Sequence, residues 1–132
     1  MIRRTEDHGL EFLLAFDGRV HILERGYWLK FEINRIPGTP TRPHGLRYSF
    51  TLHGPGGRRL LGFDNAHGLR VKRGRKAAAY DHWHRTERDP GRPYLFKSAE
   101  QLLDDFFDEA ERILREHGID STVIAVESGE GQ

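Results

Sequence analysis

Ser98-Ala99-Glu100-Gln101-Leu102-Leu103-Asp104-Asp105-Phe106-Phe107-Asp108-Glu109-Ala110 is the run on which the architecture turns. Ala99, Leu102, Leu103, Phe106, Phe107, Ala110, Ile113 and Leu114 recur at i, i+3, i+4 spacing, which predicts an amphipathic helix over residues 98–117 with one apolar stripe. Ser98 stands at the N-cap with Gln101 at the reciprocal capping-box position, and Glu100, Asp104 and Asp105 suit the positive end of the helix dipole. Gly118 is the expected stop. An apolar stripe of this length needs a layer to cover, and the residues before it supply one.

Working back from the helix, period-2 alternation recurs between turn signals. Leu10, Phe12, Leu14 and Phe16 read as a first strand, Asp17-Gly18 as a two-residue hairpin, and Val20 and Ile22 as the return strand. Tyr27, Leu29, Phe31 and Ile33 mark the inward face of a third strand, which ends in a loop at 35–44 where Pro37, Pro40 and Pro43 cannot donate ladder hydrogen bonds. Leu46, Tyr48, Phe50 and Leu52 mark a fourth, and a Gly-Pro-Gly-Gly turn at 54–57 leads to a fifth at 58–64. The expected fold is α+β: an antiparallel meander of about five strands with one long C-terminal helix packed on one face. Residues 65–80 lack an apolar period and read as a long mobile loop, followed by an extended piece at 80–85 and a last edge strand at 123–126. The chain is expected to form a single domain over 1–126 with a flexible tail at 127–132.

Composition narrows the function classes. With 132 residues the chain is long enough to bury one core without a staple, and its lack of cysteine excludes disulfides, thiolate metal sites and cysteine nucleophiles. No apolar run approaches the roughly 20 residues of a helical membrane span, and no signal peptide is seen, so a cytoplasmic protein with no membrane association is expected. A net charge of +1 conceals an uneven distribution. Residues 58–92 carry ten basic side chains against four acidic ones, whereas residues 98–132 carry ten acids against Arg112 and Arg115. The basic segment, with Arg70, Lys72, Arg73, Arg75 and Lys76 at its centre, fits either the footprint of a polyanion such as RNA or DNA or a merely solvated loop.

Eight histidines raise the question of convergence. His8, His21, His53 and His117 are expected at outward strand positions or element ends, and His44 in a loop. Asp81-His82-Trp83-His84-Arg85 differs, because His82 and His84 at i, i+2 lie on one face of an extended segment while Trp83 belongs to the core side. Two imidazoles at that spacing supply the acid and base of metal-free phosphodiester cleavage, or two ligands of a divalent metal, a weaker reading with no cofactor otherwise indicated. Asp64 and His67 are the nearest groups in sequence to join them. The alternative is a non-catalytic binding module in which the same residues are structural.

Phe63-Asp64-Asn65, Asp81-His82-x-His84-Arg85, Arg92-Pro93-Tyr94-x-Phe96 and Leu102-Leu103-x-Asp105-Phe106 occur in an order that resembles the closing half of the TumE-type toxins of bacterial and archaeal toxin–antitoxin operons. The resemblance is strongest over 58–118. It departs at 67–79, where this chain carries an insertion ending in Ala77-Ala78-Ala79-Tyr80 in place of a Gly-Lys-Gly-like stretch, and at Trp83, where a basic residue is frequent. The resemblance implies a growth-inhibiting toxin, neutralised by a helix-turn-helix antitoxin and acting on RNA. In that reading His82 and His84 are acid, base or phosphate ligands, Asp64 and Asp81 orient them, and Arg85 with the basic loop holds phosphate.

Overall fold

A computed structural model describes residues 11–38, 45–65, 82–84 and 92–128, and within them the protein is a single antiparallel sheet backed by one long helix. The strands are β1 (Arg19–Ile22), β2 (Trp28–Arg35), β3 (Leu46–His53), β4 (Arg59–Asp64), β5 (His82–His84), β6 (Arg92–Pro93) and β7 (Ala125–Ser128), and the helix α1 is Ala99–Glu116. The sheet order is β6-β5-β4-β3-β2-β1-β7, so the first six strands are a plain meander and the last returns to pair with the first. The α+β architecture expected from the sequence is therefore present. Short strands at 82–84, 92–93 and 125–128 widen the sheet beyond its long central members.

Alternation places Leu29, Phe31 and Ile33 of β2, Leu46, Tyr48, Phe50 and Leu52 of β3, and Leu61 and Phe63 of β4 on one buried face. Leu102, Leu103, Phe106, Ala110, Ile113 and Leu114 of α1 are buried against it. Phe106 is fully buried, its ring centroid 5.6–5.9 Å from those of Phe31, Phe50, Phe63 and Phe107. Phe107 is half-buried at the stripe's margin, beside Phe16 and Phe31.

Both helix ends are closed by their own sequence. Ser98 Oγ accepts from the Gln101 amide at 3.0 Å, as the cap requires. The reciprocal half of the expected capping box is not made, because the Gln101 side chain donates instead to Asp105 at 2.7 Å. At the other end, Gly118 at φ 73° donates to Arg115 O and Ile119 donates to Leu114 O, a Schellman motif that needs a left-handed residue at its centre.

Residues 11–14 correct the reading of a first strand and hairpin: they are helical, and a turn over 15–18 leads into β1. Leu13 and Phe16, three apart, are the buried pair, and Phe12, read with Leu10, Leu14 and Phe16 as one alternating set, is 61% exposed. Asp17 Oδ1 accepts from the Ile33 amide at 2.9 Å, and the Gly18 amide donates to Phe31 O, so the pair anchors the helical turn to β2. Two further corrections follow. β7 lies two residues later than the edge strand read at 123–126, and Asn65, assigned to the loop, is fully buried and fixed by hydrogen bonds. The remainder of that loop, residues 66–80 with its anticipated mobility, lies outside the described residues.

His21 overturns its expected outward position. It is 7% exposed against Phe16 and Phe31, and neither ring nitrogen has a hydrogen-bond partner among the described residues. Burial, reinforced by the positive charge of Arg19, holds its pKa below the ordinary histidine value. The unfolded chain therefore binds the proton more readily than the fold, and stability falls as pH drops through about 6.5 and below. His21→Leu should flatten that acid limb, as read by denaturant midpoints between pH 7 and pH 5.

Candidate functional site

The sheet face turned away from α1 is polar because the residues alternating with the core positions are Lys30, Glu32 and Asn34 on β2, Arg47, Ser49 and Thr51 on β3, and Gly62 and Asp64 on β4. Cross-strand register aligns them in rows. One row runs Glu32, Ser49, Asp64 and position 82, and the next runs Lys30, Thr51, Gly62 and position 84. Directly paired Cα atoms lie about 4.5–5.5 Å apart, so Asp64 and position 82 are immediate neighbours. Trp83, between the two histidine positions, joins the core instead, with its ring centroid 6.0 Å from that of Phe63. The structure thus brings Asp64 to the strand that carries His82 and His84. His67, Asp81 and Arg85 lie outside the described residues, as do Arg70, Lys72, Arg73, Arg75 and Lys76.

Arg59 also lies on this face, and no signal in the sequence marks it. The register shifts between Leu52 and His53, so Arg59 pairs with His53 and Leu60 falls out of the alternation. The side chain then folds along the strand. A Cβ added to Gly62 would meet Arg59 Cδ and the guanidinium nitrogens at 3.5–3.7 Å, which places the guanidinium beside the position paired with His84. A glycine leaves that space open.

An open depression of about 300 Å³ adjoins the first row, lined by Asp17, Glu32, Asn34, Arg47 and Ser49 together with Ile33 and Tyr48. At the far end of the face Trp28 stacks on His53 at 4.0 Å and 10°. His53 Nδ1 lies 3.0 Å from Gly57 O and its Nε2 lies 2.9 Å from Thr51 Oγ1, so this histidine is held by the turn rather than left to solvent. His117, at the helix end, is likewise paired with the Tyr27 hydroxyl at 3.1 Å.

The motif residues sort into supports and surface groups. Asn65 accepts from the Tyr48 amide at 3.0 Å and donates to Leu46 O at 2.7 Å, which ties the end of β4 to β3 next to Asp64. The Tyr94 hydroxyl donates to Asp105 at 2.6 Å while its ring meets Phe63 edge-on at 5.2 Å, so these two motif positions lock the segment after β6 to α1. Asn65, Tyr94, Asp105 and Phe106 therefore build the frame, and Asp64 with positions 82 and 84 lies on the open face.

Among the described residues no helix is long and apolar enough to cross a membrane. The family model described as Toxin TumE matches residues 10–114, most of the chain. No curated protein and no solved structure matches.

Proposed function

Because the chain belongs to the toxin TumE family, as the toxin component of a toxin–antitoxin system with an antitoxin for a partner, we propose that it acts on RNA through the polar sheet face. The observation that carries this reading is the pairing of Asp64 with position 82 and of Gly62, under the Arg59 guanidinium, with position 84. Imidazole titrates near pH 6.5, so two histidines at such positions exchange protons under cellular conditions. One takes the proton from a ribose 2′-hydroxyl as its oxygen attacks the adjacent phosphorus. The other gives a proton to the departing 5′-oxygen. The products are a 2′,3′-cyclic phosphate and a 5′-hydroxyl, and neither water nor an oxidant is consumed. Asp64 and Asp81 orient the imidazoles and stabilise their charged form, while Arg59 and Arg85 hold the phosphate as negative charge builds on it.

In the same reading Arg70, Lys72, Arg73, Arg75 and Lys76 retain the RNA strand by phosphate contact. The antitoxin is a helix-turn-helix protein, and the encounter takes place in the cytoplasm. The direct test is purified protein with cellular RNA and a chelator. Fragments ending in 2′,3′-cyclic phosphate are expected, and RNA left intact by a folded, growth-inhibiting protein would sink the proposal.

A further inference from the structure

The two edges of the sheet are finished differently. β6 is two residues long and includes Pro93, a residue that cannot donate to another strand, so that edge is blunted. β7 pairs with β1 on one side and is exposed along its whole length, with no proline or lysine to discourage further pairing.

The surface beside β7 is apolar on the helix side of the sheet. Val126 pairs with His21 and is 56% exposed, Ile124 two residues before it is 65% exposed, and Phe12, 61% exposed, packs edge-on against Phe16, whose ring also meets His21. The border of this patch is acidic. Phe107 faces Phe16, and Asp104, Asp108 and Glu111, at i−3, i+1 and i+4 from Phe107, are all exposed or at its flank on α1. Arg19 caps the Phe16 ring at 4.5 Å, and Glu127, which alternates with Val126 along β7, belongs to the opposite face.

We propose that this edge is the docking surface for the antitoxin, which adds an extended segment to β7 with apolar side chains toward Ile124, Val126 and Phe12 and cationic ones toward the acids of α1. Strand addition supplies main-chain hydrogen bonds that need no particular sequence, and the apolar and acidic borders select a basic, alternating segment. The site proposed for RNA lies at the other end of the sheet, five strand spacings from β7 to β5, or roughly 24 Å at about 4.8 Å each. Partner binding and toxicity are therefore separable by mutation. This inference depends on family membership and not on the chemistry proposed for the histidines.

The experiment measures binding of the purified cognate antitoxin to the full-length toxin, alongside growth inhibition and thermal unfolding of the same variants. Ile124→Lys combined with Val126→Lys should weaken binding by about tenfold or more, and wild-type binding should weaken as salt is raised. Should the lysine pair disturb folding, Asp104→Asn, Asp108→Asn and Glu111→Gln together decide the matter, because exposed helix positions tolerate neutral replacements. Weakened binding with toxicity retained supports the proposal. Folded variants that bind the antitoxin within about twofold of wild type overturn it. So does a wild-type toxin dimer that the lysine pair converts to monomer, since the edge would then belong to a second copy.

Discussion

Truncation of Phe106 to alanine is expected to cost about 3–5 kcal/mol of folding stability, the usual penalty for emptying a fully buried aromatic site. The side chain is enclosed by Phe31, Phe50 and Phe63 from three different strands, so no single neighbour can swing in to fill the cavity. With a net stability of about 5–15 kcal/mol typical of such domains, the variant loses roughly a fifth or more of what holds it folded. Chemical denaturation of the purified protein reads this directly. Phe107→Ala is the internal comparison: half-buried at the margin of the stripe, it should shift the midpoint less. An unchanged midpoint for Phe106→Ala would mean that α1 does not seal the sheet.

The second large effect concerns activity. His82→Gln and His84→Gln should each lower RNA cleavage by about 100-fold or more and relieve growth inhibition, because glutamine keeps a polar hydrogen-bonding group but exchanges no proton near neutral pH. Thermal unfolding should barely move, since the residue of β5 packed against the core is Trp83. Asp64→Asn, paired with position 82, should weaken cleavage less, as it removes an orienting charge and not the proton carrier. A base and an acid acting together also give a bell-shaped dependence of rate on pH, with one limb lost in each glutamine variant. Full toxicity in folded glutamine variants excludes both histidines from chemistry, and a loss of toxicity that tracks a loss of folded protein assigns them to structure.

The helix and the central strands were legible because their signal is local and repeated. Leu46, Tyr48, Phe50 and Leu52 alternate without interruption, and each is buried. The start of the chain misled for the opposite reason: Phe12-Leu13-Leu14-Ala15-Phe16 is apolar throughout, so it satisfies period 2 and period 3.6 alike, and only the packing of Leu13 and Phe16 selects the helical turn. His21 shows a different limit. Its neighbours on the strand gave it no partner to announce burial, and its position follows from the register that pairs it with Leu29 of β2 and from the Phe16 ring, which the helical turn lays against it. At the site, His82 and His84 could be read as sharing a face from their spacing, whereas their pairing with Asp64 and Gly62 required the register. Arg59 could not be found at all from alternation, because the irregularity opposite His53 inverts its phase relative to Leu61 and Phe63.

The plain meander order has a consequence for how the chain is made. Strands β1 to β6 are neighbours in the order in which they are synthesised, yet the residues that cover Phe31, Phe50 and Phe63 arrive with α1, after position 98. A nascent chain that has emerged as far as β6 therefore presents a sheet whose apolar face is covered only where Leu13 and Phe16 reach it, a substrate for chaperones and proteases. Closure of the core is thereby tied to synthesis of α1, the element that seals the sheet.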